Sequence, residues 1–132
     1  MSSSYIGYYT NIKNQGGCGS CWAYSCVGQL EGLIKKAQGK GVNLSEQFLL
    51  SCNSYGYSCK GWHFTANNTI VNDGLPGENC YPYVGYKAKC KHSCVPRYAS
   101  TGWAYVASSG SVPDVTAIKM AIYQYGSVSA AV

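Results

Sequence analysis

The chain has 132 residues, of which 46% are hydrophobic and only 11% charged, a composition that excludes a disordered chain. Its length predicts one domain, or part of a larger one. The net charge of +5 comes from scattered lysines and not from the dense basic clusters of nucleic-acid-binding surfaces, so no nucleic-acid partner is predicted.

The cysteine content indicates where the protein folds. Eight cysteines favour an oxidising compartment, because cytosolic chains rarely hold so many thiols. No apolar run reaches the roughly 18 residues of a membrane span. The opening MSSSYIGYY lacks the basic start and apolar core of a secretory signal, so we expect a processed or trimmed chain. Asn43-Leu44-Ser45 and Asn67-Asn68-Thr69 match the glycosylation acceptor pattern, which is also common by chance.

Two helices are predicted in the first half of the chain. Apolar residues at spacings of three and four predict a helix from Cys21 to about Gln38, ended by Gly39. Ser45 has the character of an N-cap, with Glu46 in the first turn, for a short helix that runs to about Cys52.

The second half is predicted to be richer in loops. A third helical stretch covers roughly residues 62–71, and residues 75–111 are mostly loop with a short strand at 103–106. An amphipathic helix follows Pro113-Asp114 and stops at Gly126. Residues 127–132 alternate weakly as a strand does, and no partner strands are evident, so we expect the opening part of a longer protein.

The segment QGGCGSCWAYS, residues 15–25, contains the chemically most informative pattern. A Cys-x-x-Cys pair can be a disulfide, a metal clip, a redox pair, or one structural thiol beside one reactive thiol. Cys21 is predicted at the first turn of a helix, where unpaired backbone N–H groups favour the nucleophilic thiolate. Gln15 can direct an amide N–H at a developing oxyanion, and Gly19 allows close backbone approach to a ligand.

This segment resembles the active-site segment of the papain-like cysteine peptidases, whose local signature is Cys-Gly-[Ser/Ala]-Cys-[Trp/Tyr]. LSEQFLLSC and GENCYPYVGY are similar to further family landmarks in the same order. The resemblance implies an α+β, papain-like fold. Residues 1–110 would form its mostly helical lobe, and residues 111–132 would begin the β-rich lobe with its first strand.

The resemblance also assigns roles to single residues. It implies that Cys21 is the nucleophile and Gln15 the oxyanion-hole glutamine. It implies disulfides between Cys18 and Cys59 and between Cys52 and Cys90. Among the cysteines that remain, Cys80 and Cys94 are a candidate pair, and Cys26 falls on the apolar helix stripe as a buried, inert thiol. No second cysteine pair has zinc-ligand spacing, so neither a metal nor a cofactor is predicted.

The sequence departs from the family in two places. CKGW has one glycine, Gly61, where the family usually has two, which puts the usual peptide clamp in doubt. Trp62 and His63 would border the pocket for a substrate side chain, and Ala131 would line its other wall. The resemblance implies that the catalytic His and Asn follow the Cys by about 130–150 residues, which would place them beyond Val132. His63 instead matches a pocket position, and His92 lies in a loop between cysteines.

Two functions compete at this point. The first is a cysteine endopeptidase that acts on peptide or protein substrates through a thioester acyl-enzyme. This chain alone would then be inactive or very weak, and a second chain or another copy could supply the His/Asn lobe. The alternative is a catalytically silent papain-like protein that serves for binding or storage. Either would belong in a secreted or lysosome- or vacuole-like oxidising location.

Overall fold

The computed structural model describes residues 11–107 and 111–130, which fold into helices joined by long loops. The helices are α1 (Cys21–Gln38), α2 (Glu46–Cys52), a 3₁₀ helix (Phe64–Ala66), α3 (Asn67–Asn72) and α4 (Val115–Tyr125). Within these described ranges the backbone forms no named strand. It forms two isolated antiparallel bridges instead, between Leu44 and Gly77 and between Leu75 and Tyr98.

The predicted bounds of α1 and α2 are confirmed. Gly39 ends α1 in the left-handed conformation (φ 74°), and its N–H donates to the Lys35 carbonyl at 2.8 Å. At the start of α2, the Ser45 hydroxyl accepts a hydrogen bond from the Phe48 N–H at 3.0 Å. The same hydroxyl donates to the Tyr81 carbonyl at 2.7 Å, so the cap also ties α2 to the loop that follows α3.

The core lies between α1 and α2. Phe48, Leu49 and Leu50 of α2 are fully buried, and the apolar face of α1 packs on them. α2 has only seven residues, so its stability comes from this buried face more than from helix propensity. Trp22 and Ala23 in the first turn of α1 belong to the same core, which holds that turn against the rest of the chain.

The third helical stretch is shorter at its start than predicted. His63 is extended (φ −149°, ψ 162°), and its ring nitrogen accepts from the Thr65 N–H at 3.2 Å, so the helical turn begins only at Phe64. The first turn is 3₁₀ before the chain continues as α3 to Asn72. Trp62 and His63 therefore belong to the preceding loop.

The predicted strand at 103–106 is wrong. This segment packs through its rings and not through a backbone ladder. Tyr105 lies edge-on to Phe64 with ring centroids 5.7 Å apart, and Trp103 lies 5.4 Å from Tyr105. The Trp103 indole N–H donates to Asn68 Oδ1 at 2.7 Å. The aromatic residues that indicated a strand in the sequence therefore make side-chain contacts in the structure instead.

At the end of the described chain, α4 is confirmed and the strand after it is not. Asp114 caps α4 by accepting from the Ala117 N–H at 2.7 Å, and Gly126 ends it. Residues 127–130 form no strand and lie along α1, where Gln29 Nε2 donates to the Ser127 carbonyl at 3.3 Å. Residues 131–132 of the predicted strand lie outside the described residues.

A buried ion cluster anchors the segment that precedes α1. The Lys13 ammonium donates to Glu31 at 2.7 Å and to Glu46 at 2.8 Å, and both carboxylates are almost fully buried. Burial raises the pKa of Glu46 to about 7 even though Lys13 opposes this shift. Burial alone would lower the pKa of Lys13, but the two carboxylates outweigh it and raise that pKa.

Candidate active site

Cys21 is the first residue of α1, and its thiol is free and exposed. The first turn of α1 contains no acidic residue, and the N–H groups of Ala23 and Tyr24 donate to the Ser20 carbonyl. The other free thiol among the described residues, Cys26, lies one turn later and is buried, which raises its pKa to about 11.

The loop of residues 15–19 brings Gln15 to the start of the helix. Gly16 adopts a positive φ (67°), and its N–H donates to Asn14 Oδ1 at 2.9 Å, so the chain reverses sharply before the nucleophile candidate. Gln15 Nε2 donates to the Cys18 carbonyl at 2.8 Å. A primary amide has two N–H bonds, so this contact leaves a second one to donate.

The Tyr83 hydroxyl joins the two ends of this loop, and sequence reasoning missed it. It donates to the Gln15 carbonyl at 2.5 Å and lies 2.8 Å from the hydroxyl of Ser20, the residue before Cys21. Because the tyrosine proton goes to Gln15, the Ser20 hydroxyl is the donor in the second bond. Tyr83 lies in YPYVGY, but no spacing in the sequence links that segment to residue 15.

The Cys18–Cys59 disulfide fixes the loop of residues 58–63 beside the candidate nucleophile. The two Cα atoms are 4.9 Å apart. Gly19 packs directly on this bridge, since a Cβ built there would lie 2.2 Å from the Cys59 carbonyl oxygen. Trp22 reinforces the contact, because its indole N–H donates to the Ser58 carbonyl at 3.0 Å.

The other disulfides are Cys52–Cys90 and Cys80–Cys94. All three bonded pairs are those named in the sequence analysis. Cys18–Cys59 joins the segment before α1 to the loop after α2, and Cys52–Cys90 joins the end of α2 to the loop after α3. Cys80–Cys94 closes within the loop after α3. The structure thus leaves Cys21 unbonded and bonds Cys18, the other half of the Cys-x-x-Cys pair.

The predicted substrate-binding residues lie mostly together. Gly61 is exposed, and its carbonyl accepts from the Ser58 N–H at 3.0 Å, so the loop that carries one glycine is a tight turn. Trp62 and His63 follow on the exposed side of this loop, and the Trp62 ring lies edge-on to Phe64 at 5.0 Å. Ala131 lies outside the described residues.

Neither histidine of the chain bonds to Cys21. The His63 ring caps the 3₁₀ helix and lies 3.3 Å from the Thr65 hydroxyl. The His92 ring packs edge-on against Phe48 at 6.1 Å, near the Cys52–Cys90 disulfide. Cys52, Cys90 and His92 form the one metal-sized cluster among the described residues, but both sulfurs are bonded to each other. Sulfurs joined in a disulfide cannot act as the thiolate ligands that a metal ion would need.

None of the described helices is both long and apolar enough to cross a membrane.

Comparisons with known proteins agree with the geometry. The family model described as "Papain family cysteine protease" matches residues 3–132. Mouse (Mus musculus) cathepsin K is 38% identical over 129 residues, covering 96% of this chain and 38% of its own length. Chymopapain of Carica papaya is 38% identical over 106 residues, covering 78% of this chain and 30% of its own length. The chain thus spans well under half the length of these relatives.

Solved structures show the same fold. The bromelain protease from Ananas comosus, in complex with the E64 inhibitor, superposes with a TM-score of 0.67 at 39% identity, over 77% of this chain and 48% of that one. Digestive procathepsin L 3 of the Tenebrio molitor larval midgut gives a TM-score of 0.76 at 31% identity, over 89% of this chain and 39% of that one.

Proposed function

Because the chain belongs to the papain family of cysteine proteases, we propose that it is part of an endopeptidase whose nucleophile is the Cys21 thiolate. The observation that carries the proposal is the state of the cysteines. Six are held in disulfides, Cys26 is buried, and the exposed free thiol stands at the first residue of α1. A binding or storage protein has no chemical need for that arrangement.

The proposed reaction is acyl transfer through a thioester. The Cys21 sulfur attacks the scissile carbonyl carbon, and the negative charge moves to the carbonyl oxygen. Gln15 Nε2 and the Cys21 backbone N–H stabilise this oxyanion. The intermediate collapses as the C–N bond breaks, the leaving amine takes a proton, and water then hydrolyses the thioester.

Two positional contacts support the role of Gln15. The Cys18 carbonyl holds its amide nitrogen, and the Tyr83 hydroxyl holds its backbone carbonyl. Preorganised donors stabilise a developing charge more than mobile ones do, because no reorganisation is needed during the reaction. We therefore infer that Tyr83 is a positioning residue for the oxyanion donor.

The proposed substrate is a peptide that lies beside Cys21 along the loop of residues 61–63. Gly19 has no side chain that would obstruct a peptide in this region, and the exposed aromatic rings of Trp62 and His63 border it. With only Gly61 in the clamp, the backbone contacts to a peptide are expected to differ from those of relatives that have two glycines. Ala131 remains a proposed wall of the same pocket.

The first test is covalent labelling. A thiol-directed epoxide or vinyl sulfone is expected to modify Cys21 at mildly acidic pH and to leave Cys26 unmodified, because Cys26 is buried and its raised pKa keeps it protonated. Peptide mapping by mass spectrometry identifies the labelled residue.

The matched control for labelling is Cys21→Ser, which keeps the size of the side chain and removes the thiolate. It is expected to abolish the adduct completely. Equal labelling of Cys21 and Cys26, or no labelling of Cys21 without denaturant, would instead favour the silent binding or storage protein.

The second test concerns the general base. Since the His63 and His92 rings are engaged elsewhere, we propose that a further part of the protein, a second chain or another copy supplies the His and Asn that activate Cys21. The 132-residue chain alone is then expected to cleave a fluorogenic peptide no faster than its Cys21→Ser variant. Turnover by the isolated chain at an ordinary peptidase rate contradicts this proposal.

The disulfides provide evidence about the compartment in which the protein folds. Three disulfides indicate folding in an oxidising compartment. We propose a secreted or lysosome- or vacuole-like destination within that class.

A further inference from the structure

We propose that Asn43 carries an N-linked glycan in the folded protein and that Asn67, the second acceptor asparagine, does not. The sequence offers both sites equally, as Asn43-Leu44-Ser45 and Asn67-Asn68-Thr69. The structure places the two asparagines in different environments, since Asn43 is exposed and Asn67 is half-buried, and this difference selects between them. The inference depends on passage through the secretory route and not on the activity of Cys21.

Asn43 is exposed in the loop that joins α1 to α2. Its backbone carbonyl accepts from the Glu78 N–H at 2.9 Å, and the next residue, Leu44, is buried and forms a bridge to Gly77. The backbone at this point is thus fixed against the protein while the asparagine side chain remains at the surface. A large polar glycan on that side chain would extend into solvent.

Asn67 is the first residue of α3 and is turned inward. Its Nδ2, the atom that would carry the glycan, donates to the Phe64 carbonyl at 2.9 Å. Its side chain also faces Cys26 of α1, which is 4% exposed, and this proximity opposes the burial that raises the pKa of the Cys26 thiol. A sugar on Nδ2 would have to fit between the Phe64 carbonyl and the buried Cys26 thiol, so a chain modified there could not pack this region in the same way.

The acceptor hydroxyls show when the modification must take place. Ser45 and Thr69, the third residues of the two triplets, are both buried, and Ser45 is committed to capping α2. A transferase cannot read either triplet in the folded protein, so transfer has to precede folding. Folding then separates the products, since a chain glycosylated at Asn43 can reach the native state and one glycosylated at Asn67 cannot.

The chemical step needs a glycosyl donor, which we take to be an oligosaccharide linked to a lipid through pyrophosphate. The Asn43 Nδ2 attacks C1 of the first sugar and forms the N–C1 bond. The C1–O bond to the pyrophosphate breaks, the lipid pyrophosphate leaves with the bonding electrons, and Nδ2 loses one proton. No oxidant or reductant is involved.

The test expresses the full 132-residue chain behind a heterologous secretory leader in a eukaryotic cell, alongside Asn43→Gln and Asn67→Gln variants. The secreted native-sequence protein and Asn67→Gln are expected to carry one glycan that peptide N-glycosidase removes. Secreted Asn43→Gln is expected to carry none. Peptide mapping after deglycosylation should find Asp at position 43 and unchanged Asn at position 67.

Occupancy is also measured in the protein retained inside the cell, so that a secretion defect does not leave the question open. Asn43 is expected to be modified in both fractions, and Asn67 only in retained chains. Two results overturn the proposal: an unmodified Asn43 in either fraction, or a glycan on Asn67 in secreted protein with its three native disulfides.

Discussion

Replacing Lys13 with Met is expected to lower the free energy of unfolding by about 3–5 kcal/mol near neutral pH, the usual cost of removing one partner from a buried ion cluster. Lys13 is the cation that contacts both Glu31 and Glu46. The two carboxylates come from different helices, so the ammonium also holds α1 to α2. Chemical unfolding followed by tryptophan fluorescence, without reductant, measures the change.

The loss is large because the two glutamates cannot turn to solvent. Glu31 and Glu46 are each 1% exposed, and Glu31 also accepts a hydrogen bond from the Leu44 N–H at 2.8 Å. Without the ammonium, their negative charges would repel each other inside the protein. An isolated buried carboxylate avoids this cost only by taking up a proton.

The pH dependence of the loss follows from Glu46. Burial has already raised the pKa of Glu46 from 4.5 to about 7, and removing Lys13 raises it further. A carboxyl whose pKa is higher in the folded protein contributes stability that is fully present below its unfolded pKa and is lost as the pH rises through the folded pKa. The difference between Lys13→Met and the native sequence is therefore expected to be smallest near pH 4.5 and largest above pH 7.

Lys40→Met is the matched control, because Lys40 is exposed in the loop after α1. The same substitution there should change stability by less than about 0.5 kcal/mol. Adding Glu46→Gln to Lys13→Met should recover part of the loss by removing one of the two unpaired charges. Equal stability of Lys13→Met and Lys40→Met would show that the cluster does not contribute to folding.

The helices could be predicted from the sequence because local signals determine their ends. Ser45 and Asp114 cap the helices that follow them, while Gly39 and Gly126 terminate helices. In each case a side-chain acceptor or a left-handed glycine satisfies backbone groups within a few residues. Such interactions depend on neighbours in the chain, so a single sequence contains them.

The features that the sequence could not predict all join distant residues. Lys13 contacts Glu31 and Glu46, and Tyr83 contacts Gln15 across 68 positions. The aromatic residues of the 103–106 segment indicated a strand, but Phe64 gave them a ring partner instead. A propensity describes the residue alone, and here the tertiary contact decided the structure.

The same distinction applies to the candidate site. A resemblance over eleven residues was sufficient to single out Cys21 and Gln15, because both lie in one short loop. The resemblance also implied the Cys18–Cys59 disulfide, which joins that loop to the loop of Cys59, but the close approach of Gly19 to the Cys59 carbonyl required coordinates. Gly19 lies at this contact, and the space available to it was not visible in the sequence.

Gly19→Ala is expected to destabilise the protein by about 1–3 kcal/mol, the typical cost of overpacking a filled position. The new Cβ would lie 2.2 Å from the Cys59 carbonyl oxygen and 3.3 Å from its carbonyl carbon. Neither side can withdraw easily, since Gly19 directly follows Cys18 and Cys18 is bonded to Cys59. The strain must therefore move the backbone between Cys18 and Cys21.

This movement gives Gly19→Ala a second effect on the proposed chemistry. A displacement of about 1 Å at a reacting group can cost on the order of 10²-fold in rate. We therefore expect the Cys21 labelling rate to fall by at least about tenfold. Labelling is measured on folded protein, so a lower stability alone does not account for this fall. Gly17→Ala is the control, because a Cβ at Gly17 meets nothing within 4 Å. If Cys21 is labelled at the native rate in both variants, the Gly19–Cys59 contact does not position the nucleophile. A lower labelling rate in Gly19→Ala alone would show that the loop linked by the Cys18–Cys59 disulfide positions it.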